Sequence, residues 1–198
     1  LGGHNFEVLN HLPHVGAVIS PDEAEYEQRV EQLLRELHYI LEQRKIMLGG
    51  MGGIDQYNQS NSATTLPAIV VAIDNFFEFI ATFGKERDNV ESVLERFTAL
   101  ARQSRPYGIY FVISIGQLAG LPHQLFSIFT ERFALRLTDP GEYREIIGIS
   151  IADMSNCPGR GYMVVEQKLL SFQVATTIDS QGTSSSQPTR EVPEVEQS

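Results

Sequence analysis

Leu66-Pro67-Ala68-Ile69-Val70-Val71-Ala72-Ile73-Asp74-Asn75 (LPAIVVAIDN) is the stretch on which the architecture turns. Its first eight residues carry no charge, β-branched residues are prominent among them, and a turn-rich segment precedes them. The pattern predicts a strand over Leu66–Ile73 with both faces buried. Downstream, Phe76–Phe83 and Arg87–Ser104 read as helices and Ile109–Ile115 (IYFVISI) as a second buried strand. Pro122–Phe129 reads as a short helix, Arg132–Leu137 as a third strand and Glu142–Gly148 as a helical turn or two. Gly161–Val165 and Leu169–Ala175 close the series as a pair of strands. Upstream, Ser20-Pro21-Asp22-Glu23 has the form of a helix start, with Ser20 as N-cap, Pro21 at the first position and Glu23 completing a capping box. Val30, Leu33, Leu34, Leu37, Ile40 and Leu41 follow at helical spacing until Gly49 and Gly50 stop the helix. Apolar strands separated by amphipathic helices imply an α/β fold with a mainly parallel sheet.

Composition narrows the classes. The 198 residues are 42% hydrophobic and 20% charged, enough apolar material for a core. The longest apolar runs fall well short of the ~20 residues of a membrane span. A net charge of −10 argues against a polyanion-binding surface over the chain as a whole. The single cysteine, Cys157, rules out an internal disulfide and suits a reducing compartment. No charged-then-apolar leader opens the sequence, and its first residue is Leu1, so a processed product or a piece of a longer chain is expected. Ser180–Ser198 (SQGTSSSQPTREVPEVEQS) reads as a solvated tail or linker.

In parallel α/β sheets ligands gather at the carboxyl ends of the strands, which directs attention to Asp74-Asn75 and Ser114–Gln117. An apolar run delivering Asp74 to a strand end has the layout of a Walker B segment, whose aspartate holds nucleotide-bound Mg²⁺. The alternative is an aspartate capping the helix from Phe76. The partner motif GxxxxGK[ST] is absent: Lys45 and Lys168 follow no glycine, and Lys85 has Phe79 and Glu86 where the motif needs Gly and Ser/Thr. Gly49–Gly53 is Gly-rich like a phosphate loop but follows a helix, and reads as a connector.

His11 and His14 have metal-ligand spacing, yet Pro13 intervenes and no cysteine lies nearby. Arginines outnumber lysines twelve to three. Several, including Arg132, Arg136, Arg144 and Arg160, lie at or near strand ends, either as phosphate contacts or as surface ion pairs. In Gly159-Arg160-Gly161 the flanking glycines would let the backbone approach a ligand at which Arg160 points.

Taken in order, these segments resemble the FtsK/SpoIIIE family of motor ATPases, most closely its type VII secretion, EccC-like branch. Leu1–His4 and Leu12–Val15 look like the stretch after the family's second core strand, and Ser20–Leu48 like its long helix. Leu66–Asn75 resembles the Walker B strand, Gly108–Ser114 (GIYFVIS) the next core strand, and Arg132–Asp139 and Pro158–Met163 the closing segments. The resemblance covers about residues 1–175. It implies a RecA-like three-layer domain lacking its first strand–P-loop–helix unit, over residues 1–178, with 179–198 as tail.

The resemblance further implies ATP and Mg²⁺ as cofactors, with Asp74 as metal ligand and Asn75 and Ser114 at the γ-phosphate or its water. Arg144, Gly159, Arg160 and Gly161 would be nucleotide contacts, the arginines across a subunit boundary. The expected setting is a homo-oligomeric (hexameric) ring or tandem ATPase modules acting as a translocase of secreted protein or DNA. The parent would be cytoplasmic and tethered to the inner membrane by other parts, with no membrane contact from this segment. Where the family usually has an acidic residue after the Walker B aspartate stands Asn75, with Glu78 one turn later as a substitute. The alternative this raises is a degenerate, non-hydrolysing module that docks partners or regulates a ring. Without a P-loop, the chain alone is expected to be inactive.

Overall fold

A computed structural model describes residues 4–61, 63–84, 92–151 and 157–175. The tail reading therefore lies outside the described residues, as does the start of the helix expected from Arg87. The chain divides into two compact units, Leu1–Thr130 and Glu131–Ser198.

In the first unit a 3-10 helix over His4–His11 precedes α1 (Tyr26–Leu48) and α2 (Ile54–Ser60). β1 (Ile69–Ile73), α3 (Phe76–Phe83), α4 (Val93–Gln103), β2 (Ile109–Ile113) and α5 (His123–Ile128) follow. β1 and β2 pair in parallel, with Ile69 opposite Ile109 and Ile73 opposite Ile113. Helix α1 begins six residues after the expected cap. Ser20 and Glu23 do bond, the Ser20 N–H donating to Glu23 Oε1 at 3.0 Å, but they close turns that lead into the helix. Its end falls where the glycines place it: Gly49 adopts the left-handed conformation and its N–H returns to the Lys45 carbonyl.

The core is one apolar cluster. Val30, Leu34, Leu37 and Leu41 of α1 meet Phe76, Phe79 and Phe83 of α3, Val93, Phe97 and Leu100 of α4, and Ile69, Val71 and Ile73 of β1. The rings of Phe76, Phe79 and Phe97 pack with centroids 5.2–5.4 Å apart. The expectation that β1 is buried on both faces is corrected. Val70 and Val112 are 62% and 56% exposed, because the helices pack on the face carrying Ile69, Val71 and Ile73.

At the amino ends of the strands, buried Arg44 of α1 donates to the carbonyls of Tyr107 (2.7 Å), Gly108 (3.1 Å) and Pro67 (2.7 Å). It thereby ties α1 to the entrances of both strands. Asn58 of α2 makes a two-way bond with the Leu66 backbone, accepting at 2.8 Å and donating at 3.0 Å.

The second unit holds β3 (Phe133–Ala134), α6 (Gly141–Ile147), β4 (Arg160–Val165) and β5 (Lys168–Gln173), the strands forming an antiparallel sheet in the order β3-β4-β5. Ala134, Tyr143 and Ile147 form its core. The third strand is shorter than expected because Tyr143 captures the following backbone. Its hydroxyl accepts from the Leu137 N–H at 2.8 Å and donates to the Leu135 carbonyl at 2.9 Å.

Candidate functional site

The parallel register of β1 and β2 brings their carboxyl ends side by side, and three sequence-predicted residues meet there. Asp74 follows β1, and Ser114 follows β2. The Ser114 N–H donates to the Ile73 carbonyl at 3.0 Å, and the Ser114 carbonyl accepts from the Phe76 N–H at 2.9 Å. Between these bonds the Ser114 hydroxyl donates to Asp74 Oδ1 and accepts from the Asn75 N–H at 3.0 Å. One hydroxyl uses its donor and an acceptor lone pair at once, fixing the Asp74 carboxylate against the strand-to-helix turn.

Asn75 makes that turn in the left-handed region, at φ 51° and ψ 59°. No side-chain cap bond forms there, and the Asp74 carboxylate takes the Ser114 hydroxyl, so the capping alternative for Asp74 is not what the structure displays. The Asn75 side chain instead donates from Nδ2 to Glu78 Oε2 at 3.2 Å, while the Glu78 N–H donates to the Asn75 carbonyl at 2.9 Å. Asp74, Asn75, Glu78 and Ser114 are all exposed and offer a ligand an array of oxygen acceptors. Glu78 also lies near Tyr26, whose phenol is pushed above its ordinary pKa first by burial and then by the charges of Glu78 and Glu27.

A hard divalent cation fits this donor set, since Mg²⁺ takes one or two carboxylates and draws its remaining ligands from water and phosphate. Among the described residues no group of three His, Cys, Asp or Glu side chains gathers as a metal cage.

The other expected residues belong to the second unit. Arg144 is exposed on α6. Gly159 sits in a left-handed turn at φ +76°, its carbonyl accepting from the Val174 N–H at 2.9 Å. Gly161 has a reason within the sheet: a Cβ there would stand 2.3 Å from Phe172 Cζ and 2.9 Å from the Ala134 carbonyl oxygen. Arg160 pairs with Gln173 across β4 and β5, half-buried, with its Nε buried and without a hydrogen-bond partner. Cys157 is exposed, its sulfur 3.5 Å from Gln173 Oε1.

No protein-family model matches the chain. It is 24% identical over 176 residues to the type VII secretion system protein EssC of Staphylococcus aureus (strain MRSA252), covering 88% of this chain and 11% of that protein. It is 26% identical over 165 residues to the ESX secretion system protein EccC of Geobacillus thermodenitrificans (strain NG80-2), covering 82% of this chain and 10% of that protein. The chain thus spans about a tenth of the length of these relatives.

Among solved structures, the cytoplasmic domain of the Thermomonospora curvata type VII secretion ATPase EccC superposes with a TM-score of 0.68 at 23% identity, covering 88% of this chain and 20% of that one. Its ATPases 2 and 3 in complex with a signal sequence peptide give 0.68 at 22%, covering 87% and 30%. The pCW3 conjugation coupling protein TcpA, in monomer form with ATPγS, gives 0.61 at 22%, covering 77% and 48%. The chain is thus similar to EccC-like proteins of type VII secretion systems, and its parallel strand pair and its likeness to the neighbours' ATPase domains show a partial RecA-like α/β fold.

Proposed function

We propose that the chain is part of the ATP-binding motor domain of an FtsK/SpoIIIE-type translocase serving type VII secretion. The observation that carries this reading is the Asp74–Ser114–Asn75 constellation at the carboxyl ends of two parallel strands. Asp74 would hold Mg²⁺, which when bound neutralises phosphate charge as the terminal phosphoryl group leaves. Ser114 fixes the Asp74 carboxylate, and Asn75 and Ser114 face the γ-phosphate or its water. Residues 1–178 act as one portion of the ATPase domain and 179–198 as a tail or linker.

Arg144 and Arg160 contact nucleotide across a subunit boundary, in a ring or between tandem modules, and Gly159 and Gly161 are further nucleotide contacts. A secreted protein is favoured as substrate by the relatives' names and by the EccC neighbour in complex with a signal sequence peptide. The net charge of −10 tells against DNA grip, which needs clustered Lys and Arg. The cytoplasm is the expected compartment, with tethering through other parts of the parent. No helix among the described residues is long and apolar enough to cross a membrane.

A second reading, a non-hydrolysing module for partner docking or ring regulation, is favoured by one observation. The residue after Asp74 is an amide, which orients water but does not accept its proton. Steady-state ATP turnover by the full-length parent tests the two. The motor reading expects Asp74→Ala to lower turnover about a hundredfold or more. Absence of turnover in the unsubstituted parent would leave the docking module.

A further inference from the structure

We infer that Glu78 is a positioning residue that sets which end of the Asn75 amide meets the phosphate-bound water. The inference rests on the ATP-site reading of Asp74 and deepens it.

The left-handed backbone at Asn75, φ 51°, is the starting point. Asparagine is among the residues that adopt this region most readily. The turn lets the Asn75 N–H reach the Ser114 hydroxyl at 3.0 Å. Glu78, in the first turn of α3, reaches back to Asn75.

An ionised carboxylate only accepts hydrogen bonds, so the end of the Asn75 amide facing Glu78 must be the NH₂ group. Nδ2 lies 3.2 Å from Glu78 Oε2. Once Nδ2 is committed, Oδ1 is left as the acceptor at the other end of the amide, able to receive a hydrogen from water. The Glu78 N–H bond to the Asn75 carbonyl, at 2.9 Å, holds the two residues in the same turn. Glu78 thus acts through Asn75, which touches the water, and takes no proton itself. Removing Glu78 lets the amide flip and offer a donor where an acceptor is needed.

The test is a double-mutant cycle on ATP turnover by the full-length parent, with Mg·ATP affinity measured beside it. Asn75→Gly removes the amide and keeps the left-handed backbone. Glu78→Ala is expected to lower kcat roughly three- to tenfold, with nucleotide affinity unchanged. In Asn75→Gly the further loss of Glu78 is expected to change nothing. Glu78→Gln, which keeps a carbonyl acceptor for Nδ2, is expected to restore most of the loss.

Additive losses, or a Glu78→Gln variant as impaired as Glu78→Ala, would overturn the positioning role, the latter in favour of a proton acceptor. An unaffected Glu78→Ala variant would overturn it too, as would a parent that binds Mg·ATP without turnover. Failure of the underlying reading is seen separately, as a nucleotide stoichiometry and a turnover that Asp74→Ala leaves unchanged.

Discussion

Arg44 carries a guanidinium into the interior of the first unit, only 5% exposed, and holds it on three carbonyls. Burial pulls its pKa below the usual arginine value. Its removal would strand those carbonyls at the entrances of β1 and β2, so Arg44→Ala is expected to cost about 2–4 kcal/mol in denaturant unfolding. Gly161→Ala forces a Cβ against Phe172 and the Ala134 carbonyl and is expected to cost about 1–3 kcal/mol. Asp74 was legible in the sequence because an uninterrupted apolar run points to it. Ser114 as its partner follows once the two strands pair in parallel. The Asn75–Glu78 bond was not legible, since it depends on one backbone dihedral. The Gly159-Arg160-Gly161 reading as a ligand approach met a competing reason in the sheet, because the space above Gly161 is taken by the Phe172 ring.

Among elements, α3 spans the residues that its composition foretells, and α1 ends at the expected glycine. The start of α1 was misplaced because a capping-box pattern serves a turn as well as a helix. Helix α4 begins at Val93 behind a full capping box of Ser92 and Glu95. Ser92→Ala is expected to cost about 1 kcal/mol, read as a shift in denaturation midpoint. The turn of the β4–β5 hairpin left no trace in the sequence: Glu166 and Gln167 both take positive φ, 50° and 65°, without the Asn or Gly such a turn favours. Helix α2 was missed because it is short and polar, anchored through Asn58 to the backbone.

Glu23, in the turn before α1, is held below the usual carboxyl value of 4.5 first by the Ser20 backbone hydrogen bond and then by Arg29. A depressed pKa adds stability above the unfolded value that is lost as pH falls through the folded one. The melting temperature is therefore expected to fall on acidification below about pH 4.5, and less steeply in Glu23→Gln.

At the scale of the molecule, the α/β class and the order of its elements could be read from alternating apolar runs and amphipathic helices. The division into two units, one with a parallel pair and one with an antiparallel sheet, could not, because strand direction is set by contacts between distant segments. The uncovered face bearing Val70 and Val112 was equally hidden, since apolar strands predict burial whether or not a covering layer lies in the same stretch of chain. The central claim, that Asp74 and Ser114 form the metal side of a nucleotide site, is tested most directly by calorimetric titration of Mg·ATP into the full-length parent and its Asp74→Ala variant. The account predicts that the variant binds one nucleotide fewer per chain. Equal stoichiometry and affinity in the two proteins would contradict it.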